Sequence, residues 1–123
     1  MPDHLEFHGV LPALITPFTP DGAAIDVDAL TANVERLIAG GVGGLVPGGS
    51  TGEFTTLGHA ERRELVETTV AAAAGRAPVV AGTGALSTAE TVELSAHAED
   101  AGAAAVMIVP PFYDALGWRE LLA

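Results

Sequence analysis

The sequence predicts a parallel α/β fold, on three observations. Apolar runs alternate with amphipathic stretches along all 123 residues. The apolar runs are near-continuous, as expected of strands covered on both faces. Each run with its following stretch takes roughly thirty residues, the span of one βα repeat. The order reads β-α-β-α-β-α-β-α, with the last helix cut short. Two architectures fit this pattern: a doubly wound open sheet, and a (β/α)8 barrel, which needs about 250 residues.

The elements follow from local chemistry. Residues 9–18 (GVLPALITPF) are apolar and partly β-branched, so they predict a first strand. Thr19-Pro20-Asp21-Gly22 is a turn signature, because proline fixes φ and glycine permits positive φ. Asp26 can cap a helix running to about Ala39, with Leu30, Val34, Leu37 and Ile38 on one face. Gly40-Gly41 ends it. Residues 42–48 (VGGLVPG) predict a second strand, and residues 58–75 a second helix. In that helix Glu61 and Glu64 sit near the positive end of the dipole, and Leu65, Val66 and Val70 form the apolar stripe. Residues 77–82 (APVVAG) predict a third strand. Ser87-Thr88-Ala89-Glu90 has the form of a capping box, opening a helix to about Ala101 with Gly102 just past its end. Residues 103–110 (AAAVMIVP) predict a fourth strand, and Trp118 to Ala123 the first turn of a fourth helix.

Composition excludes several classes of function. The formal net charge is −11, so the chain exerts no general attraction on nucleic acid or anionic lipid. A charge of this sign is the ordinary device of a soluble surface. There is no cysteine, which removes disulfides, thiolate catalysis and Cys-ligated zinc. Met1-Pro2-Asp3-His4 lacks the basic and apolar regions of a signal peptide. The run from Ala101 to Phe112 is too short to cross a bilayer and ends in Pro110-Pro111. A soluble cytoplasmic protein is expected. The histidines His4, His8, His59 and His97 show no ligand spacing, so no metal site is expected.

Two glycine-rich loops invite a functional reading. Gly82-Thr83-Gly84-Ala85-Leu86-Ser87 is one residue short of the dinucleotide fingerprint, lies in the third unit and lacks the acidic partner downstream. It reads as a tight strand-to-helix turn. The other loop, Gly48-Gly49-Ser50-Thr51-Gly52-Glu53, is no phosphate-binding P-loop, because that needs a lysine. It does follow the second strand, where parallel α/β proteins place their chemistry. Its glycines admit close backbone approach, and its hydroxyls can hold a carboxylate or pass a proton. On spacing alone, a turn with local capping fits it equally well.

Four stretches taken together resemble a known family. They are "GVLPALITPFTPDGAAID", "GGSTGEFTTLGHAER", "VVAGTG" and "VMIVPPFY", in order and at compatible distances across almost the whole chain. The chain resembles the N-terminal half of the dihydrodipicolinate synthase / N-acetylneuraminate lyase family of pyruvate-dependent class I aldolases. The resemblance implies that residues 1–123 are the first four βα units of a single (β/α)8 barrel domain. It implies a Schiff-base lyase acting on pyruvate or another 2-keto acid plus an aldehyde, with no cofactor. It implies that Ser50, Thr51 and Gly52 bind the substrate, with Thr51 and its backbone N–H holding the keto-acid carboxylate and Ser50 contacting the substrate and relaying protons. Many synthases carry Thr where Ser50 stands and several lyases carry Ser, which leaves the subfamily open. Tyr113 matches a tyrosine that completes the relay in the neighbouring subunit's site, so a homo-dimer or tetramer is implied.

One element of that chemistry is missing from the sequence. The family's Schiff-base lysine lies on the sixth strand, and this chain contains no lysine at all. A primary amine is what turns the ketone into an electron-withdrawing iminium. The 123-residue chain alone is therefore expected to be inactive as an aldolase. The sequence stops inside a helical start at Trp118-Arg119-Glu120-Leu121-Leu122, so the reading frame is expected to continue past Ala123. The alternative is a standalone half-barrel with a binding or structural role.

Overall fold

The computed structural model describes residues 5–123; His4 and the amino terminus at Met1 lie outside the described residues. Three full helices form, α1 (Val27–Ala39), α2 (His59–Ala73) and α3 (Thr88–Ala101), followed by a single turn, α4 (Trp118–Leu121). Two strands, β1 (Val80–Gly82) and β2 (Ala105–Met107), pair in parallel with Val80 opposite Ala105.

The helix ends follow from their sequences with one exception. The Asp26 carboxylate accepts the Ala29 N–H at 2.9 Å and starts α1, whose Leu30 and Val34 are fully buried. Gly58 offers α2 no side-chain cap, so the Glu61 carboxylate reaches back to accept the Gly58 N–H at 2.7 Å. The exception is α3. Ser87 Oγ accepts the Glu90 N–H at 3.2 Å, which is half of the expected box. The returning half does not form, because the Glu90 carboxylate turns toward α2 and lies 3.4 Å from His59 Nε2. Gly102 closes α3 at φ +97°.

The predicted first and second strands are shorter than their apolar runs. They reduce to single parallel bridges, Ala13 to Val46 and Leu45 to Val79. Pro12, Pro47 and Pro78 have no N–H, so they serve the ladder only as acceptors. Phe18 leaves the first run altogether and bridges Ile25 across the predicted turn, where Gly22 sits at φ +71°. The hydrogen bonds nonetheless define one parallel ladder. Leu14 N–H donates to Val46 O (2.9 Å), Leu45 N–H to Pro78 O (2.9 Å), and Ala104 N–H to Val79 O (2.8 Å).

The four extended segments thus lie side by side in chain order. A doubly wound sheet reverses direction at a switch point, and this one does not. Right-handed crossovers in constant order put every helix on the same face. Accordingly α1 packs on α2 and α2 on α3. The main core lies beneath them, built on Leu14, Leu30, Val34, Leu45, Leu65 and Val79. Val66, Ala81 and Ala98 form a second cluster.

The expectation that both sheet faces are covered holds for one face only. Along the first segment Leu14 is 2% and Thr16 5% exposed, while Ile15 between them is 57% exposed. Ile108, just past β2, is also exposed.

Candidate functional site

The C-terminal ends of all four segments converge on the Ser50 loop. Gly48 turns the chain out of the ladder at φ +74°. Residues Ser50–Gly52 then make a 3₁₀ turn, closed by Gly52 N–H to Gly49 O at 3.0 Å and Glu53 N–H to Ser50 O at 3.0 Å. Thr16, at the end of the first segment, donates its hydroxyl to Gly52 O at 2.7 Å, and both residues are buried. A Cβ on Gly52 would lie 2.9 Å from Leu14 O. At the end of β1, a Cβ on Gly82 would lie 2.1 Å from Gly48 O. At the end of β2, Met107 Cε stands 3.2 Å from where a Gly49 Cβ would be. Glycine is thus required at 48 by φ and at 52 and 82 by backbone contact.

The turn presents unused donors. Ser50 and Thr51 are exposed, and among the described residues neither their hydroxyls nor their N–H groups meet a protein acceptor. Glu53 follows in the left-handed region (φ 57°, ψ 37°), a strained conformation for a side chain of this type. Thr56 Oγ1 supports it by donating to Glu53 O at 2.8 Å. Beside the turn, Ser50, Phe54, Thr55, Val109 and Phe112 line a cleft of about 370 Å³.

The predicted site residues are only partly gathered. Ser50, Thr51 and Gly52 share one turn, and Ser50 shares its cleft with Phe112. Tyr113 follows Phe112 in the chain, but its side chain is 87% exposed and does not line that cleft.

Three residues that support the loop were not singled out by the sequence reading. Thr16 anchors Gly52. Phe54, 8% exposed, packs edge-on against Phe112 with ring centroids 5.7 Å apart. Arg62, 6% exposed, donates from Nη2 to the carbonyls of Gly82 (3.1 Å) and Gly84 (2.9 Å). Burial lowers the Arg62 pKa from its ordinary value, and the Glu90 carboxylate opposes that shift. A signal for Arg62 was present. Positions 62, 65, 66, 69 and 73 recur at helical spacing, and all five are buried.

A singly wound parallel α/β unit, with a donor-bearing turn at the C-terminal edge of its strands, is the class that fold and site define. The chain belongs to the Dihydrodipicolinate synthetase family, whose profile matches residues 6–122. It is 58% identical over 109 residues to the 4-hydroxy-tetrahydrodipicolinate synthase of Sorangium cellulosum, covering 89% of this chain and 36% of that protein. Among solved structures it is similar to a putative dihydrodipicolinate synthetase from Pseudomonas aeruginosa, with TM-score 0.90 and 41% identity over 94% of this chain and 40% of that one. A chloride-inhibited dihydrodipicolinate synthase from Acinetobacter baumannii, solved in complex with pyruvate, matches with TM-score 0.89 and 36% identity, covering 94% of this chain and 40% of its own. The chain thus spans about two fifths of the length of such relatives. Among the described residues, no helix is long and apolar enough to cross a membrane.

Proposed function

We propose that this chain supplies the first four βα units of a (β/α)8 barrel lyase of the cytoplasm. The enzyme joins or cleaves a carbon–carbon bond between pyruvate, or another 2-keto acid, and an aldehyde. The carrying observation is the Ser50–Gly52 turn at the C-terminal edge of the ladder, where the hydroxyl and N–H groups of Ser50 and Thr51 meet no protein acceptor among the described residues. In this reading the Thr51 hydroxyl and N–H hold the substrate carboxylate, and Gly52, without a side chain, lets the substrate approach the turn. Ser50 contacts the substrate and relays protons, with Tyr113 of a neighbouring copy completing the path in a homo-dimer or tetramer. The bare sheet face at Ile15 supports the barrel, since further strands would cover it.

The chemistry fixes what the rest of the enzyme must add. An amine attacks the keto carbon, water leaves, and the resulting iminium acidifies the adjacent C–H. Loss of that proton gives an enamine that attacks the aldehyde carbon. With no lysine in this chain, the amine comes from elsewhere in the enzyme.

The test is reductive trapping. The natively produced protein is treated with pyruvate and borohydride, and its intact mass recorded. A species much heavier than 12.4 kDa that gains one reduced pyruvate supports the reading. A 12.4 kDa species with no adduct overturns it in favour of a half-barrel that binds without catalysing. Ser50→Ala and Thr51→Val should then weaken 2-keto acid binding by about tenfold each, the scale of one hydrogen bond to a charged group.

A further inference from the structure

We infer that Arg62 is a positioning residue that ties three loops of the C-terminal edge into one unit, and so seats the Ser50 turn and fixes the segment from which Tyr113 reaches outward. Its catalytic consequence rests on the lyase reading; its geometry does not. The Arg62 side chain rises from the first turn of α2 into a buried space between loops. Nη2 has two hydrogens, and it donates to the two carbonyls that flank Thr83, those of Gly82 and Gly84. The guanidinium carbon stands 5.2 Å from the centroid of the Phe54 ring, within cation–π range. Phe54 lies two residues beyond Gly52, and its ring meets Phe112, the neighbour of Tyr113. One guanidinium therefore bonds the loop after β1, holds the ring that follows the Ser50 turn, and through that ring reaches the loop after β2.

The surroundings favour positioning over simple ion pairing. Arg62 has no salt bridge among the described residues, and its Nε is buried without a hydrogen-bond partner. Glu90 acts on it through its field. The two residues whose carbonyls it binds are closely packed: a Cβ on Gly84 would lie 2.8 Å from Val109 Cγ2, and one on Gly82 2.1 Å from Gly48 O. A lysine could reach one carbonyl as a point donor but could not lie flat over the ring. A methionine would fill the space and bond neither.

The test compares Arg62→Met and Arg62→Lys with the wild type in the full native protein. Hydrogen exchange is followed without ligand, and kcat and KM for the 2-keto acid are measured separately. Arg62→Met should raise exchange together at residues 48–56, 82–86 and 109–113, by at least about tenfold, because it removes two hydrogen bonds from a charged donor and one such bond alone is worth about that factor. Helix α1 and the second half of α2 should keep their protection. KM should rise more than kcat falls, and Arg62→Lys should recover part of both effects. The inference is overturned if the three loops do not respond together, if all helices loosen with them, or if methionine protects as well as arginine. If the wild type traps no pyruvate, the lyase reading fails on that result, and the exchange pattern still decides the role of Arg62.

Discussion

Thr16→Val isolates the bond that holds the Ser50 turn to the sheet. Valine keeps the shape of threonine and removes the hydroxyl. That hydroxyl donates to Gly52 O at 2.7 Å, in a place where Thr16 is 5% exposed and Gly52 is buried. Among the described residues no other group donates to that oxygen. The substitution strands a buried acceptor, which costs about 1–3 kcal/mol. Thr16→Ser keeps the donor and gives up one methyl group, about 0.8 kcal/mol. Urea unfolding of the full native protein should therefore rank the three as wild type, then serine, then valine. The two variants should also separate in 2-keto acid affinity, with serine near wild type and valine weaker. A valine variant as stable as the serine one would refute the reasoning. The methyl contact, and not the hydrogen bond, would then be what seats the turn.

Gly82→Ala should abolish soluble folding or cost more than about 3 kcal/mol, since its Cβ would stand 2.1 Å from Gly48 O, which is backbone and cannot step aside; soluble yield and circular dichroism decide. Gly22→Ala should cost only about 1–2 kcal/mol, because among the described residues nothing lies within 4 Å of its Cβ and only φ +71° opposes it; the unfolding midpoint measures it. Glu35→Gln should change the acid response. Pairing with Arg76 holds the Glu35 carboxyl below its ordinary value of 4.5. A depressed folded pKa gives stability that is present above 4.5 and is lost as pH falls through the folded value. The gap in unfolding midpoint between wild type and variant should therefore be small at neutral pH, because the pair is exposed, and close on acidification. A gap that widens in acid would contradict the assignment.

The helices were legible because their signals are local. Asp26, Ser87 and Gly102 act on backbone groups within four residues, and each does in the structure what its type predicts. Ladder limits were less legible. An apolar run records burial, while pairing depends on which N–H groups exist and what lies alongside. Thus residues 9–18 predicted one strand but gave one bridge and a hairpin arm. Glu90 shows the same limit at one side chain: its spacing to Ser87 fits a box, but α2 offers it His59. At the site, glycines and hydroxyls marked the turn. Nothing local marked Thr16 as its anchor, since Thr16 and Gly52 meet only when two segments pair.

The arginines bear on how such a turn would recognise an anion. The chain carries a net charge of −11 and five arginines. Four of them are engaged away from Ser50 and Thr51. Arg36 bonds Asn33, Arg63 pairs with Glu93, Arg76 pairs with Glu35, and Arg62 faces carbonyls and a ring. In the proposed reading these four leave the carboxylate to the neutral O–H and N–H donors of the turn. In the proposed chemistry that is an advantage. The iminium is itself a cation. A fixed guanidinium about 5 Å away would oppose it by about 3 kcal/mol at an effective dielectric constant of about 20. Neutral donors hold the carboxylate without that opposition, and the bound carboxylate then favours the iminium by its own charge. For the proposed reaction, the hydroxyls at residues 50 and 51, unpaired among the described residues, suit the site better than a positive side chain in their place.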